Sequence, residues 1–261
     1  MELAIKVSVS AQYAFTMTVI AHFSDIHVDG EDRSAERTSR IVRYLKALRT
    51  SVDVVLVTGD LADHGAESEY ERMAELLDLP GPVLYCPGNH DSREPLRKVL
   101  LREAPHGAPV NKAYQISGTL FLMCDSSIPD RDDGRLAERT LDWIESELVA
   151  SAALPAFVCF HHPPVTLGIP YVDAIRQFAT DRLARLIARH DNVVAVLCGH
   201  AHTPASTTFG GKPLLVAPGV VSTLMLPFES DALVDESLPP MLALHILDEE
   251  RRLTTHFRVV P

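Results

Sequence analysis

Several features are scarce in this 261-residue chain, and each scarcity excludes a class of protein. Cysteine occurs four times and never as Cys-x-x-Cys, so neither a disulfide framework nor a thiolate metal cage is expected. A thiolate ligand or nucleophile is the alternative, but no motif supports it. Each cysteine ends or follows an apolar run, which favours buried, reduced thiols of a cytoplasmic protein. They are Cys86, Cys124, Cys159 and Cys198.

Long apolar runs and positive charge are scarce as well. No run approaches the roughly 18 residues that a membrane-spanning helix needs. Lys and Arg number 24 against 35 Asp and Glu, which gives a formal net charge of −11. A general nucleic-acid binder or a membrane-surface binder shows a basic face, so neither partner class is expected. The acidic balance favours a small-molecule partner instead.

The length of the chain suits one α/β domain with a large core. Residues 1–17 lack the continuous apolar stretch and small-residue cleavage site of a signal peptide. Met17 stands just before the first apolar strand, where it is a candidate start of translation. We expect residues 1–17 to be an N-terminal appendage of low order and residues 18–261 to form the folded domain.

The chain does contain five apolar runs that end in Asp, His or Asn. The run 83–86 is followed by a Pro-Gly turn and then by Asn89, His90 and Asp91. Since α/β sheets bind ligands at the carboxyl ends of their strands, these side chains can converge on one point. The other four runs end in Asp25 and His27, in Asp60, in His161 and His162, and in His200 and His202.

Between these runs, apolar residues recur at helical spacing. Helices are predicted over 33–49, 67–77 and 93–103, so the first half of the chain reads βαβαβα. The Asp-rich segment 126–135 is long enough to border a site. The second half is predicted to hold a hairpin at 113–125, helices at 136–148 and 180–189, and short strands that continue to residue 259.

The polar ends of the runs form five motifs over positions 25–202. In order, they are Asp-x-His, Gly-Asp, Gly-Asn-His-Asp, a His after a strand, and Gly-His-x-His. In kind and order this series resembles the calcineurin-like metallophosphoesterase family. The resemblance implies an α/β fold, a four-layer α/β/β/α sandwich of two mixed β-sheets, with a metal site at one edge.

By the same resemblance, two metal ions bind at the strand ends and share a hydroxide that attacks phosphorus. Carboxylate, imidazole and amide donors suit divalent or mixed-valence Mn, Fe, Zn or Co better than Ca or Mg. The first ion takes Asp25, His27, Asp60 and His202, and the second takes Asp60, Asn89, His161 and His200. Asp60 is therefore expected to bridge the two ions.

Two adjacent histidines compete for one of these ligand positions. In the family the ligand directly follows the strand, and neighbouring strand residues point to opposite sides, which favours His161. His162 would then support the ligand or line the pocket. The alternative, with His162 as the ligand, stays open at this point.

His90 and Asp91 are the candidate catalytic residues. In the family, the residue equivalent to His90 faces the phosphate and stabilises the transition state or protonates the leaving oxygen. Asp91 is expected to orient its imidazole, as carboxylates do around metal-site histidines.

The segments after Asp91 and after His162 look like those of a bacterial branch that cleaves cyclic nucleotides and glycerophosphodiesters. This implies a metal-dependent phosphodiesterase with a small substrate. A phosphomonoesterase of broad specificity and a non-catalytic scaffold of the same fold are the alternatives. The apolar segment 220–228, with Leu224, Met225 and Leu226, is a candidate contact in a homodimer or larger oligomer.

Overall fold

Strands and helices alternate along the part of the chain that the computed structural model describes, residues 17–261. The predicted appendage, residues 1–17, lies outside this part except for Met17. The strands are β1 (Thr18–Phe23), β2 (Val54–Thr58), β3 (Val83–Cys86), β4 (Lys112–Ile116), β5 (Thr119–Met123), β6 (Ala156–Cys159), β7 (Val193–Cys198), β8 (Ala205–Phe209), β9 (Lys212–Val216), β10 (Thr223–Leu224), β11 (Val234–Asp235), β12 (Met241–Leu247) and β13 (Leu253–Val259). The helices are α1 (Asp32–Lys46), α2 (Glu67–Leu76), α3 (Arg93–Leu96), α4 (Glu138–Ala150), α5 (Pro170–Ala174) and α6 (Asp181–Arg189).

The strands form two large mixed sheets and one two-stranded ribbon. The first sheet has the order β13-β12-β1-β2-β3, in which β1, β2 and β3 run parallel. The second has the order β4-β5-β6-β7-β9-β8, in which β5, β6, β7 and β9 run parallel. The ribbon pairs β10 with β11. The first five elements of the predicted βαβαβα order and the predicted hairpin are confirmed.

Three apolar clusters separate four layers. Alternate residues of β2 belong to different clusters. Val55 and Val57 face α1 and α2, whereas Val54 and Leu56 face the second sheet. The third cluster joins the second sheet to α4, α5 and α6. The predicted α/β/β/α sandwich is therefore confirmed, and its sheet-to-sheet interface carries the inner core.

All four cysteines are buried and free, as the sequence predicts. Cys86 and Cys159 lie between the sheets, and Cys124 and Cys198 lie between the second sheet and its helices. Burial raises the pKa of each thiol, so these side chains behave as small apolar groups.

The structure differs from the sequence prediction in two segments. The helix expected over 93–103 is only α3 followed by a π-helical turn, Arg97–Leu101, and it ends where Arg102 adopts a left-handed φ of 54°. Apolar spacing alone does not distinguish these helix types. In the candidate dimer segment, Leu224 is buried in the core, whereas Phe228 is 85% exposed.

Within residues 17–261, no helix combines the length and the hydrophobicity that a membrane crossing requires.

The first prediction concerns the interface between the sheets. Phe157 of β6 is fully buried and stacks on Phe121 of β5, with ring centroids 5.5 Å apart. We expect Phe157→Ala to lower the free energy of unfolding by about 3–5 kcal/mol, because it leaves a cavity between the sheets. Urea denaturation followed by circular dichroism measures it. Val149→Ala on α4, where the side chain is 62% exposed, is the control with a change under about 0.5 kcal/mol. A loss below about 1 kcal/mol for Phe157→Ala would contradict this packing.

Candidate metal centre

The predicted ligands lie together where strands of both sheets end. Oδ2 of Asp60, after β2, is 3.5 Å from Nε2 of His27 and 3.2 Å from Nε2 of His161. Oδ1 of Asp25, after β1, is 3.4 Å from Nε2 of His202, which follows β7. One Asp60 oxygen thus stands between imidazoles from the two sheets, the position that a bridging ligand requires.

His200 and Asn89 belong to the same cluster of predicted ligands. Nδ1 of His200 is 3.1 Å from Nε2 of His161, and the backbone N–H of His200 donates to Oδ2 of Asp25 at 3.0 Å. Asn89 follows β3 and turns a buried Oδ1 toward this region, where it lines the same cavity as Asp60 and His200. All seven predicted ligands therefore border one site.

Five of these residues have a left-handed backbone, with φ between 49° and 69°. Asp and His adopt this conformation more readily than most side chains, but each instance still costs on the order of 1–3 kcal/mol. Such conformations persist only where the surrounding structure holds them. The five are Asp25, His27, Asp60, His200 and His202.

Two motif glycines lie so close to ligand side chains that no larger residue would fit in their place. A Cβ on Gly59 would overlap the ring of His161, and a Cβ on Gly88 would overlap the carboxylate of Asp60. Gly59 also has a φ of +92°, which disfavours any other residue. The glycines in Gly-Asp and Gly-Asn-His-Asp thus make room for the ligands beside them.

Three histidine rings are oriented by hydrogen bonds at the nitrogen that faces away from Asp25 and Asp60. The contacts are His27 Nδ1 to Asp63 Oδ1 at 2.7 Å, His161 Nδ1 to the Thr58 carbonyl at 2.7 Å, and His202 Nδ1 to Ser222 Oγ at 2.8 Å. Metal-binding histidines are held in this way, with the second nitrogen left for the ion. In each of the three rings that nitrogen is Nε2.

His162 is arranged differently from its neighbour. Its Nδ1 contacts Ser126 Oγ at 2.8 Å and its Nε2 contacts the Asp132 carbonyl at 3.1 Å, so both ring nitrogens already have partners. A donor atom of His162 nevertheless lies within 4.8 Å of donors of His161 and His200. Nε2 of His161 lies against two other predicted ligands, Asp60 and His200, whereas both nitrogens of His162 contact loop 126–132. This difference favours His161 as the ligand.

The buried polar atoms of the predicted ligands show whether the site suits a cation. Within residues 17–261, seven buried side-chain nitrogen or oxygen atoms lack a hydrogen-bond partner, although such atoms are nearly always paired. Four of them belong to predicted ligands: Asp25 Oδ1, His27 Nε2, Asn89 Oδ1 and His200 Nε2. Metal coordination would satisfy all four, so the residues fit a cation site.

The electrostatics of the cluster agree with this fit. Burial acts to lower the pKa of His27 and of His161, but the carboxylates around them raise these pKa values to about 8 and about 9. Burial likewise acts to raise the pKa of Asp60, but His161 and then His27 hold it well below its usual range. The site is therefore built to pair buried carboxylates with positive charge.

Asp91 does not orient His90, and that prediction is wrong. The Asp91 carboxylate is buried and accepts hydrogen bonds from the backbone N–H groups of Leu61, Ala62 and Gly88 and from the Tyr70 hydroxyl. It turns toward the backbone because the loop after Asp60 presents unpaired N–H groups there. Asp91 thus ties the Asp60 loop to the turn that carries Asn89.

Asp63 takes the place that the sequence assigns to Asp91. His90 donates from Nδ1 to the Asp63 carbonyl at 2.8 Å, and the Asp63 carboxylate lies 3.6 Å from the same nitrogen while it binds His27. Asp63 follows Asp60 by three residues in a loop without helical or strand periodicity. Its only signal in the sequence is this proximity to the Gly-Asp motif.

A four-layer sandwich with carboxylates and imidazoles at its strand ends defines a metal-dependent phosphoester hydrolase. Sequence comparison agrees, because the calcineurin-like phosphoesterase family matches residues 18–204. The chain belongs to this family, whose members use a dinuclear metal centre.

Individual relatives cover most of the chain. A protein of Arcobacter nitrofigilis named "Probable glycerophosphodiester phosphodiesterase GpdQ" is 31% identical, over 91% of this chain and 92% of its own length. A cAMP/cGMP dual specificity phosphodiesterase of Mycobacterium tuberculosis is 32% identical, over 78% of this chain and 68% of its own. Among solved structures, a dimetal phosphatase from Danio rerio has a TM-score of 0.66 at 14% identity, over 93% of this chain and 99% of its own. That last likeness concerns the fold alone.

The second prediction separates the bridging position from a terminal one. We expect Asp60→Ala to lose both equivalents of Mn(II), because its oxygen lies between the two groups of imidazoles, and Asn89→Ala to keep about one. Elemental analysis after gel filtration measures the metal content. Asp248→Ala, at the turn between β12 and β13, is the control that keeps the wild-type content. Two equivalents retained by Asp60→Ala would exclude the bridge.

The third prediction separates the adjacent histidines. His161→Ala should abolish activity and reduce bound metal, whereas His162→Ala should keep the metal and raise KM by loosening loop 126–132. Metal analysis and steady-state kinetics on the same preparations measure both effects. The reverse pattern would place the ligand at His162.

Proposed function

We propose that this chain is a phosphodiesterase that hydrolyses small phosphodiesters with two bound metal ions. The observation that carries the proposal is the convergence of seven side chains on one site, four of them with a buried polar atom that has no partner in the described part of the chain. The proposed ligands are Asp25, His27, Asp60, Asn89, His161, His200 and His202. Residues 18–261 would form the single catalytic domain.

The donor set indicates which metals bind. Four imidazoles combined with carboxylate and amide oxygens suit Mn, Fe, Zn or Co, whereas Ca and Mg prefer oxygen donors throughout. When bound, the ions supply positive charge to the phosphoryl oxygens of the substrate. Four free, buried cysteines fit a reducing compartment, which favours the cytoplasm.

His90 is the residue of this chain that can move a proton. Its side chain is 40% exposed, and it lines the cavity that also contains Asp60 and His200. Because Nδ1 donates to the Asp63 carbonyl, Nε2 is the nitrogen left for the substrate, and the imidazolium form would donate its Nε2 proton to the leaving oxygen and return to the neutral ring. Asp63 positions His27 and His90, and Asp91 positions the loop that follows Asp60.

The charge of the surrounding walls favours a diester over a monoester. Among residues 17–261, Arg93 is the one arginine that lines the cavity beside His90, and its guanidinium is already bound by Asp125 and by the carbonyls of Gly107 and Ser127. A singly charged diester needs no additional cation, whereas a doubly charged monoester gains from one. The names of the two relatives, a glycerophosphodiester phosphodiesterase and a cyclic nucleotide phosphodiesterase, support the same class.

Two other functions remain as alternatives. A phosphomonoesterase of broad specificity would use the same metal site and is separated by substrate preference. A non-catalytic scaffold is disfavoured because every predicted ligand position is filled in this sequence.

The fourth prediction tests His90 and the substrate class together. His90→Ala should slow cleavage of an alkyl diester by about 10² to 10⁴-fold and affect a nitrophenyl diester much less, because nitrophenolate leaves without a proton donor. Rates are compared on both diesters and on nitrophenyl phosphate, with His256→Ala on β13 as the exposed-histidine control.

Two outcomes would contradict these assignments. Equal losses on the two diesters would leave His90 as a charge stabiliser without a general-acid role. A wild-type preference for nitrophenyl phosphate would replace the phosphodiesterase proposal with a phosphomonoesterase.

A further inference from the structure

Two cavities meet at Asn89 and His90, and their walls differ in character. The first, of about 580 Å³, opens on the side of α3 and loop 126–130. The second, of about 380 Å³, is lined by five of the seven metal-ligand candidates and opens on the side of α5 and the β10–β11 ribbon. A phosphodiester has two organic arms on one phosphorus, so a phosphate held between the cavities would place one arm in each.

The first cavity combines polar and acidic side chains with a smaller apolar part at Ile128 and Pro129. Ser92, Glu94, Ser127 and Asp130 line it, together with an Arg93 whose guanidinium is bound by protein groups. Hydroxyl or ammonium groups on a substrate arm can find partners there, whereas the two carboxylates would repel a second phosphate. His90 borders this cavity, so the departing alcohol is assigned to it.

The second cavity has an apolar wall opposite the metal-ligand candidates. Tyr171 of α5 is 54% exposed, Val234 of β11 is 42% exposed, and Leu233, which directly precedes β11, is 40% exposed. Ile175 and Leu224 complete the wall. Apolar side chains left open to water beside a polar site mark a surface that contacts a ligand. We name these three exposed residues the Tyr171 face.

We propose that the Tyr171 face binds a flat aromatic arm of the substrate, as a nucleobase provides, in an open-chain diester whose second arm is a polar alcohol. This inference rests on the proposed phosphodiesterase function. A glycerol arm would lose water against Leu233 and Val234, whose side chains offer no hydrogen bond in return. An aromatic arm instead buries its faces against the tyrosine ring and the two aliphatic side chains.

A second copy of the chain is the competing occupant of this face. The concave shape argues for the substrate, since Tyr171, Leu233 and Val234 line one cavity with Asp60 and His200. A protein surface that filled this cavity would also cover the metal-ligand candidates. A substrate arm that is attached to the bound phosphate reaches the wall and leaves the metal-ligand candidates uncovered.

The experiment varies the arm while the leaving group stays constant. Thymidine 5′-(4-nitrophenyl phosphate) and methyl 4-nitrophenyl phosphate both release nitrophenolate, and they differ in the arm assigned to the Tyr171 face. We expect Tyr171→Ala to lower kcat/KM about 5- to 150-fold on the thymidine diester and less than about twofold on the methyl diester. Tyr171→Phe should restore the wild-type value, because the ring is kept. Val149→Ala is the exposed apolar control.

A binding measurement tests the inference and does not require the enzyme to turn over. Thymidine 5′-monophosphate and methyl phosphate are titrated calorimetrically into the Mn(II)-loaded protein, and we expect Tyr171→Ala to weaken only the nucleotide. Leu233→Ala serves as a second variant with the same expectation, since its side chain is also exposed and its removal opens no core cavity.

The two proposals fail in distinguishable ways. If the wild type cleaves neither diester, the phosphodiesterase function fails, and the titration alone decides the Tyr171 face. If Tyr171→Ala affects both diesters equally, or if both phosphates bind alike in the wild type, the aromatic-arm inference is overturned. A change of molecular mass in solution on Tyr171→Ala, with unchanged selectivity between the diesters, would assign the face to a second copy.

Discussion

The arrangement of this site depends on two carboxylates that are buried within a few ångströms of each other. Asp25 and Asp60 are almost fully inaccessible, and donor atoms of both lie within 4.8 Å of His161. Buried anions are tolerated only beside positive charge and hydrogen-bond donors. The surrounding imidazoles and the His200 and His90 backbone N–H groups serve that need. The left-handed conformations and the close-packed glycines are consequences, because only they bring these groups near enough.

The four-layer architecture is what makes this density of polar groups possible. A single sheet presents the ends of β1, β2 and β3, but His161, His200 and His202 come from the second sheet. Thr58 connects the two, since its carbonyl accepts from His161 and its hydroxyl contacts His22 at 2.9 Å. His22, which burial keeps neutral by lowering its pKa, contacts His245 in turn. Packing of the sheets therefore fixes the ligands, and the site cannot be separated from the core.

The sequence is most informative where chemistry and strand ends coincide. Five polar motifs that follow apolar runs predict that the strand ends converge on one site, and all seven predicted ligands do lie together there. The four-layer sandwich itself is implied by the resemblance of these motifs to the family. The sequence fails where the relevant contact is tertiary. Asp63 and Asp91 are both loop carboxylates, and nothing in their spacing shows that the first turns to the histidines and the second to backbone N–H groups. The π-helical turn after α3 is missed for a similar reason, since its apolar spacing resembles that of an α-helix.

The predicted metal ligands and the cavity walls lie on different kinds of structural element. Ligands sit on the ends of buried parallel strands, where register fixes positions to fractions of an ångström and substitution disturbs the core. The walls of the two cavities come from short or irregular pieces: loop 126–130, α5 and the two-residue strands of the ribbon. Their exposed side chains, Tyr171, Leu233 and Val234, lie outside the three apolar clusters, so these side chains can change at small cost in stability. The metal chemistry is thereby tied to the fold, whereas the choice of the two substrate arms is left to segments that can vary independently of it.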